Sequence, residues 1–186
     1  GISMIQVAEG GLEEVSTILI RLRELSVQAA NDTLGDTERK FTNLEYQQLT
    51  NEIDRIAEST SFNGRTLLKG EGETLEFQVG TDNHPTNDRI TYDSGAANIT
   101  TDALSLKGLA VDEKTKAQTN LGAIDLALDA VNGNRANLGA LQNRLQSTIS
   151  NLDVKTENLS AANSRIRDAD VANESAQFAR ANILSA

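Results

Sequence analysis

The apolar residues near the start of the chain recur every three or four positions. Ala8, Leu12, Val15, Leu19, Leu22 and Ala29 fall on one face of a helical period, and Ile18 widens the stripe. The spacing predicts a helix over residues 2–30. Gly10 and Gly11 interrupt it at about 1 kcal/mol each in helix propensity, a cost that a close approach by a neighbouring element would explain. "NDTLGDTE" breaks the period with Gly35 and two capping residues, Asp36 and Thr37. A second helix is expected from about Glu38 to Glu58, with Phe41, Leu44, Leu49, Ile53 and Ile56 as its apolar side. The short loop before it makes it antiparallel to the first.

The period then changes. "SFNGRTLLKGEGE" is irregular and contains the turn signal Asn63-Gly64. In "TLEFQVG", Leu75, Phe77 and Val79 alternate with Thr74, Glu76 and Gln78, the pattern of a strand with one buried face. "DRITYD" is its expected partner, with Ile90 and Tyr92 inward, across the long loop "TDNHPT". Residues 94–118 are less legible: a short strand or a turn of helix, with Asp112 or Asn120 as a cap for the last helix.

The longest pattern comes last. Leu121, Ile124, Leu128, Val131, Leu138, Leu141, Leu145, Ile149, Leu152 and Leu159 are spaced by three, four or seven, as in a coiled-coil seam. Asn132-Gly133 is a turn signal inside it, which the surrounding periodicity overrides. A helix from Asn120 to Ile166 would be about 70 Å long. Disruption is expected around Asp168 to Asp170, after which Val171, Ala172, Phe178 and Ile183 resume the helical spacing. The reading is a mainly α, elongated bundle of long antiparallel helices with a small β-hairpin region. It forms a single rod domain over 1–186: N-terminal helices 1–58, hairpin and connecting region 59–118, and C-terminal long helix 119–186. Gly1 and Ala186 carry no caps and read as cut ends.

Composition supports narrow seams. Hydrophobic residues make up 38% and aromatics 3%, so Leu, Ile, Val and Ala must do the packing that aromatics do in a thicker core. The net charge of −10 and pI of about 4.6 disfavour nucleic acid and anionic membrane surfaces as partners. No apolar run is long enough to span a bilayer, and the start does not read as a cleavable signal peptide. The chain has no cysteine, which removes thiol catalysis, disulfides and cysteine-ligated metals.

Candidate chemistry is sparse. His84 is the only histidine and lacks the neighbours of a metal pair or a triad. Asp168, Asp170 and Glu174 lie close together but lack the central glycine of a calcium loop. Glu52 and Asp54, two apart on a helix, point to different sides. No Gly-rich phosphate loop follows a strand. Four Asn-X-Ser/Thr triplets, at Asn31, Asn98, Asn158 and Asn173, are ordinary in a chain so rich in Asn. The expectation is a non-enzyme with no catalytic residues, metal or cofactor.

Two stretches carry a resemblance. "LIRLRELSVQAAND" at 19–32 with "NEIDRIAESTSFNGRTLL" at 51–68 resembles the amino-terminal core of bacterial flagellin. "LGALQNRLQSTISNLDVKTENLSAANSRIRDADVA" at 138–172 resembles its carboxy-terminal core, and "LEFQVG" sits where flagellins have their small sheet. The resemblance implies a structural subunit of the flagellar filament that self-assembles by helix packing, serves motility, and is secreted to the extracellular flagellum. It implies the flagellar export machinery and a chaperone as partners, without signal cleavage. It also implies that the terminal inner-tube segments and the outer domains of longer flagellins are missing here. A hook–filament junction protein and a non-polymerising helical adaptor are the alternatives. Finally, it implies recognition by the innate Toll-like receptor for flagellin, through Arg21, Leu25 and Gln28 on the first helix and Glu45 on the second. Spacings of four and three put the first three on one stripe. Ile20 stands where receptor-activating members tend to have Gln.

Overall fold

In the computed structural model, residues 1–72, 74–167 and 171–185 are described. The opening stripe forms α1, Ile2–Ala29, and buries Ala8, Leu12, Val15, Leu19, Leu22 and Ala29 with Met4, Ile5 and Leu25. Helix α2, Asp36–Ser59, runs antiparallel to it. Arg39 of α2 reaches the end of α1 at Ala29, Glu45 meets Arg21, and Thr60, just after α2, faces Gly11. A Cβ on Gly11 would lie 2.7 Å from Leu68 Cδ1 and 2.8 Å from Thr60 Oγ1, so the close approach is real at Gly11. Gly10 has open space and no such role.

Two expectations for α2 are corrected. Its N-cap is Gly35, with no side-chain cap from Asp36 or Thr37. Its first apolar residues face outward: Phe41 is 66% and Leu44 62% exposed. The buried face is Arg39, Thr42, Tyr46, Thr50, Ile53, Ile56 and Ala57. Beside it, polar side chains of α2 hold the connecting segment. Val111 N donates to Asn43 Oδ1 (2.9 Å), and Gln47 Nε2 donates to the Leu109 carbonyl (2.8 Å). Thr101 donates from its N and its Oγ1 to the Asp54 carboxylate, at 2.8 and 2.7 Å. These side chains satisfy three backbone groups of a segment that has no strand to pair with, while its own turns and a bond from Ile99 N to the Leu68 carbonyl satisfy others. Residues 94–113 are turns and bends, neither strand nor helix, and their apolar residues Ala97, Ile99, Leu104, Leu106 and Val111 close the core.

Asn63-Gly64 turns a short hairpin, β1 Ser61–Phe62 with β2 Arg65–Thr66, in a stretch whose sequence pattern is irregular. Both turn residues have positive φ, +52° and +77°, as a type I′ turn requires. The expected longer hairpin is present as β3, Thr74–Gln78, and β4, Arg89–Asp93, with Leu75 opposite Tyr92 and Phe77 opposite Ile90. Ile90 and Tyr92 are buried, and Tyr92 Oη donates to the Leu67 carbonyl at 3.0 Å.

Helix α3 runs from Lys114 to Arg167 without a break at Asn132-Gly133. Asn120 is not its cap but a buried residue of its second turn, donating to the Ala110 carbonyl at 2.8 Å. The chain divides into two compact units, Gly1–Leu145 and Gln146–Ala186. In the first, α3 is antiparallel to α1 and buries Ile124, Val131, Leu138, Leu141 and Leu145. Ion pairs fasten the two helices: Arg23 to Asp125 and Arg135 to Glu9, both at 2.8 Å. Lys114 at the start of α3 reaches Asp32, just past α1, at 2.7 Å.

The second unit comprises the rest of α3 and helix α4, Val171–Ser185. The periodicity predicts a seam continuing through Ile149, Leu152 and Leu159, but these are 41%, 37% and 61% exposed, as are Phe178 and Ile183 more strongly. Within the first unit, α1 supplies the opposing face of the seam, and Gly1, its N-cap, lies level with Leu145. The expected disruption at Asp168 to Asp170 lies outside the described residues.

Candidate partner-binding surface

The four residues marked by resemblance come from α1 and α2. The stripe spacing of α1 places Arg21 and Gln28 on the flank that faces α2, and both are exposed. Arg21 Nε and Nη2 lie 2.9 and 2.8 Å from Glu45 Oε1, and Nη1 lies 3.0 Å from Glu24 Oε2. The Glu45 bond, then the Glu24 bond, hold the guanidinium pKa above its ordinary value. The Arg21 and Glu45 side chains are 47% and 46% exposed, so the pair is a solvent-screened one that fixes orientation more than it adds stability.

Leu25 departs from the expectation of an exposed stripe. It is 1% exposed and belongs to the core. Its direction lies between that of Leu22 and that of Arg21, the side on which α2 packs, so α2 covers it. The apolar surface beside the ion pair comes from other residues. Phe41 sits one turn before Glu45 on α2, with Leu44 next to it. Ile20 and Val27, at 51% and 50%, expose apolar area on α1. Apolar spacing alone assigns Phe41 and Leu44 to the core. A helical wheel places them outside: at 100° per residue they lie roughly 120° and 180° from Ile53.

Among the described residues nothing competes with this surface as a chemical site. His84 is exposed in its loop, and its backbone N donates to Asp88 Oδ2 at 2.9 Å. Glu52 pairs with Arg55, while Asp54 holds Thr101. Among the described residues no group of three or more His, Cys, Asp or Glu could hold a metal. No described helix is long and apolar enough to cross a membrane.

Comparison with known proteins gives a consistent result. Residues 1–73 match the bacterial flagellin N-terminal helical region, and residues 121–186 the bacterial flagellin C-terminal helical region. A flagellin of Halalkalibacterium halodurans is 44% identical over 185 residues, covering 100% of this chain and 67% of the relative. A flagellar filament core protein of Treponema phagedenis is 40% identical over 195 residues, covering 99% of this chain and 68% of its own length. The crystal structure of Bacillus cereus flagellin superposes with a TM-score of 0.73 at 29% identity, covering 87% of this chain and 90% of that one.

Proposed function

This chain belongs to the bacterial flagellin family, and from that premise we propose that the exposed α1–α2 face is its recognition surface for the innate flagellin receptor. The family role itself is structural. The protein is a subunit of the flagellar filament, a self-assembling component of the extracellular bacterial flagellum that serves motility. The family is not an enzymatic one. The junction-protein and adaptor readings are not favoured beside relatives named flagellin and filament core protein.

The observation that carries the proposal is the Arg21–Glu45 pair. It joins two helices at the surface and leaves a planar cation and a carboxylate half-exposed, with Phe41 beside them. Such a group of charge and aromatic surface makes an interface anchor. Gln28 extends it along α1. Leu25, the fourth residue of the family pattern, acts from beneath by holding α1 against α2. Export through the flagellar channel with a chaperone belongs to the same reading, and the absence of cysteine supports it, since a threaded chain must stay free of crosslinks.

Replacing Arg21 and Glu45 together by Ala tests the proposal. The melting curve is expected to stay within about 0.5 kcal/mol of the parent, since both are surface residues. Activation of receptor-bearing cells is expected to fall about thirtyfold, the loss of one interface anchor. Undiminished activation overturns the reading. If the parent is silent, Ile20→Gln is expected to raise the signal, and failure to do so also counts against it.

A further inference from the structure

The dipeptide Asn-Gly occurs twice, at 63–64 and 132–133. It is chemically labile wherever it is found, because glycine has no side chain to block attack on the asparagine amide. Both copies here are solvent-exposed, so accessibility does not separate them. Their backbones do.

Asn132 and Gly133 lie inside α3. There each amide is bonded to the carbonyl four residues back, and helical torsions keep the Gly133 nitrogen away from the Asn132 side chain. Freeing it means melting helix on both sides. Asn63 and Gly64 occupy a two-residue turn at positive φ. Among the described residues, no hydrogen bond engages the Asn63 side chain or the Gly64 amide. The turn is closed by two residue pairs, Phe62 with Arg65 and Ser61 with Thr66, and by one further bond, from Leu67 N to the Thr60 carbonyl at 3.0 Å. Ser61 and Arg65 are exposed and Phe62 is 38% exposed, so opening the tip of this hairpin uncovers part of one aromatic ring and no wholly buried side chain, and short two-stranded ladders open easily.

We propose that Asn63 is a site of spontaneous conversion to aspartate and isoaspartate, and that the fold confines this chemistry to Asn63 and withholds it from Asn132. Hydroxide removes the Gly64 amide proton, and the nitrogen attacks Asn63 Cγ. The new N–C bond forms as the Cγ–Nδ2 bond breaks, and the Nδ2 group leaves as ammonia, taking a proton from water. The resulting cyclic imide then adds one water at either carbonyl. Opening at one restores the ordinary backbone with an Asp side chain. Opening at the other routes the backbone through the β-carboxyl, one methylene longer. No oxidant or reductant is consumed, and each product adds one negative charge.

The longer product cannot keep a two-residue turn in register. It is expected to unpair Phe62 from Arg65 and loosen the chain just before Leu67 and Leu68, which are wholly buried. The same dipeptide that specifies the hairpin therefore carries the reaction that undoes it.

The test uses the intact chain, incubated in warm, mildly alkaline buffer, folded and in denaturant. Peptide mapping by mass and by isoaspartate-specific enzymatic methylation tracks both sites in the same molecules. In denaturant both asparagines are expected to convert at similar rates. In the folded chain Asn63 is expected to keep converting while Asn132 slows by more than about tenfold relative to it. Equal rates at the two sites in the folded chain, faster conversion at Asn132, or no conversion at Asn63 when the denatured chain has reacted would each overturn the proposal.

Discussion

Replacing Arg39 by Met removes the group that closes the α1–α2 turn while keeping most of its volume. Arg39 is 9% exposed. Its Nε donates to the Ala29 carbonyl at 2.9 Å and its Nη2 to the Asn31 carbonyl at 3.0 Å. These are carbonyls at the end of α1, which the helix itself cannot satisfy. Its third bond, Nη1 to Asp36 Oδ1 at 3.1 Å, ends on a carboxylate 92% exposed and adds little. Exchanging a buried ion pair for apolar residues is often harmless, because both charges leave together. Here the partners are backbone carbonyls and stay behind. Two charge-assisted bonds at about 1.5–3 kcal/mol each, less the recovered desolvation of the guanidinium, put the net loss at about 2–4 kcal/mol. For a chain of this size that is roughly 5–15 °C in melting temperature. Thermal unfolding followed by circular dichroism measures it, with Asp36→Asn as the control expected to change stability by less than about 0.5 kcal/mol. An Arg39→Met protein melting within about 2 °C of the parent refutes the clasp.

Tyr46 is fully buried with its hydroxyl unpartnered among the described residues. Tyr46→Phe is therefore expected to leave stability unchanged or raise it by up to about 1 kcal/mol; a clear loss in urea titration refutes this. Burial pushes the Tyr46 and Tyr92 phenols up to about 12, above the ordinary value near 10. The unfolded chain then releases these protons first. Stability is whole below about pH 10 and falls as pH rises towards 12, and Tyr46→Phe should flatten that fall. Leu145→Ala is expected to cost about 2–5 kcal/mol, and Ile149→Ala, on a 41% exposed residue, less than half as much; equal losses by urea titration would relocate the end of the seam. Asp54→Ala removes the acceptor of two Thr101 bonds. It should speed amide exchange across residues 99–106 at least about tenfold with little change in α1; uniform protection would show that the loop holds itself.

The amino-acid pattern alone was enough for elements with one continuous buried face. The stripe of α1 is buried as read, because two elements pack on it and every third or fourth residue must be apolar. The alternation in β3 and β4 fixed their register, since a one-residue slip would expose Ile90 and Tyr92. The long period of α3 carried the helix through Asn132-Gly133, whereas the same dipeptide at Asn63-Gly64 turned the chain. What lay across from each face was settled only by packing. Helix α2 packs on α1 with one side and holds residues 99–111 with polar side chains on another. Phe41 and Leu44, apolar yet outside, could therefore not be placed by hydrophobicity alone, and Asn43, Gln47 and Asp54 hold a loop in a way that a polar pattern does not announce. Leu25 points about 40–60° from the Arg21–Gln28 direction, and whether it was surface or core depended on α2 covering that flank. Along α3 the apolar period runs on past Leu145, but a period records only which residues would be buried if a partner lay alongside. Burial itself is a property of pairs of elements, and for Ile149, Leu152 and Leu159 the exposed faces of the fold decided it.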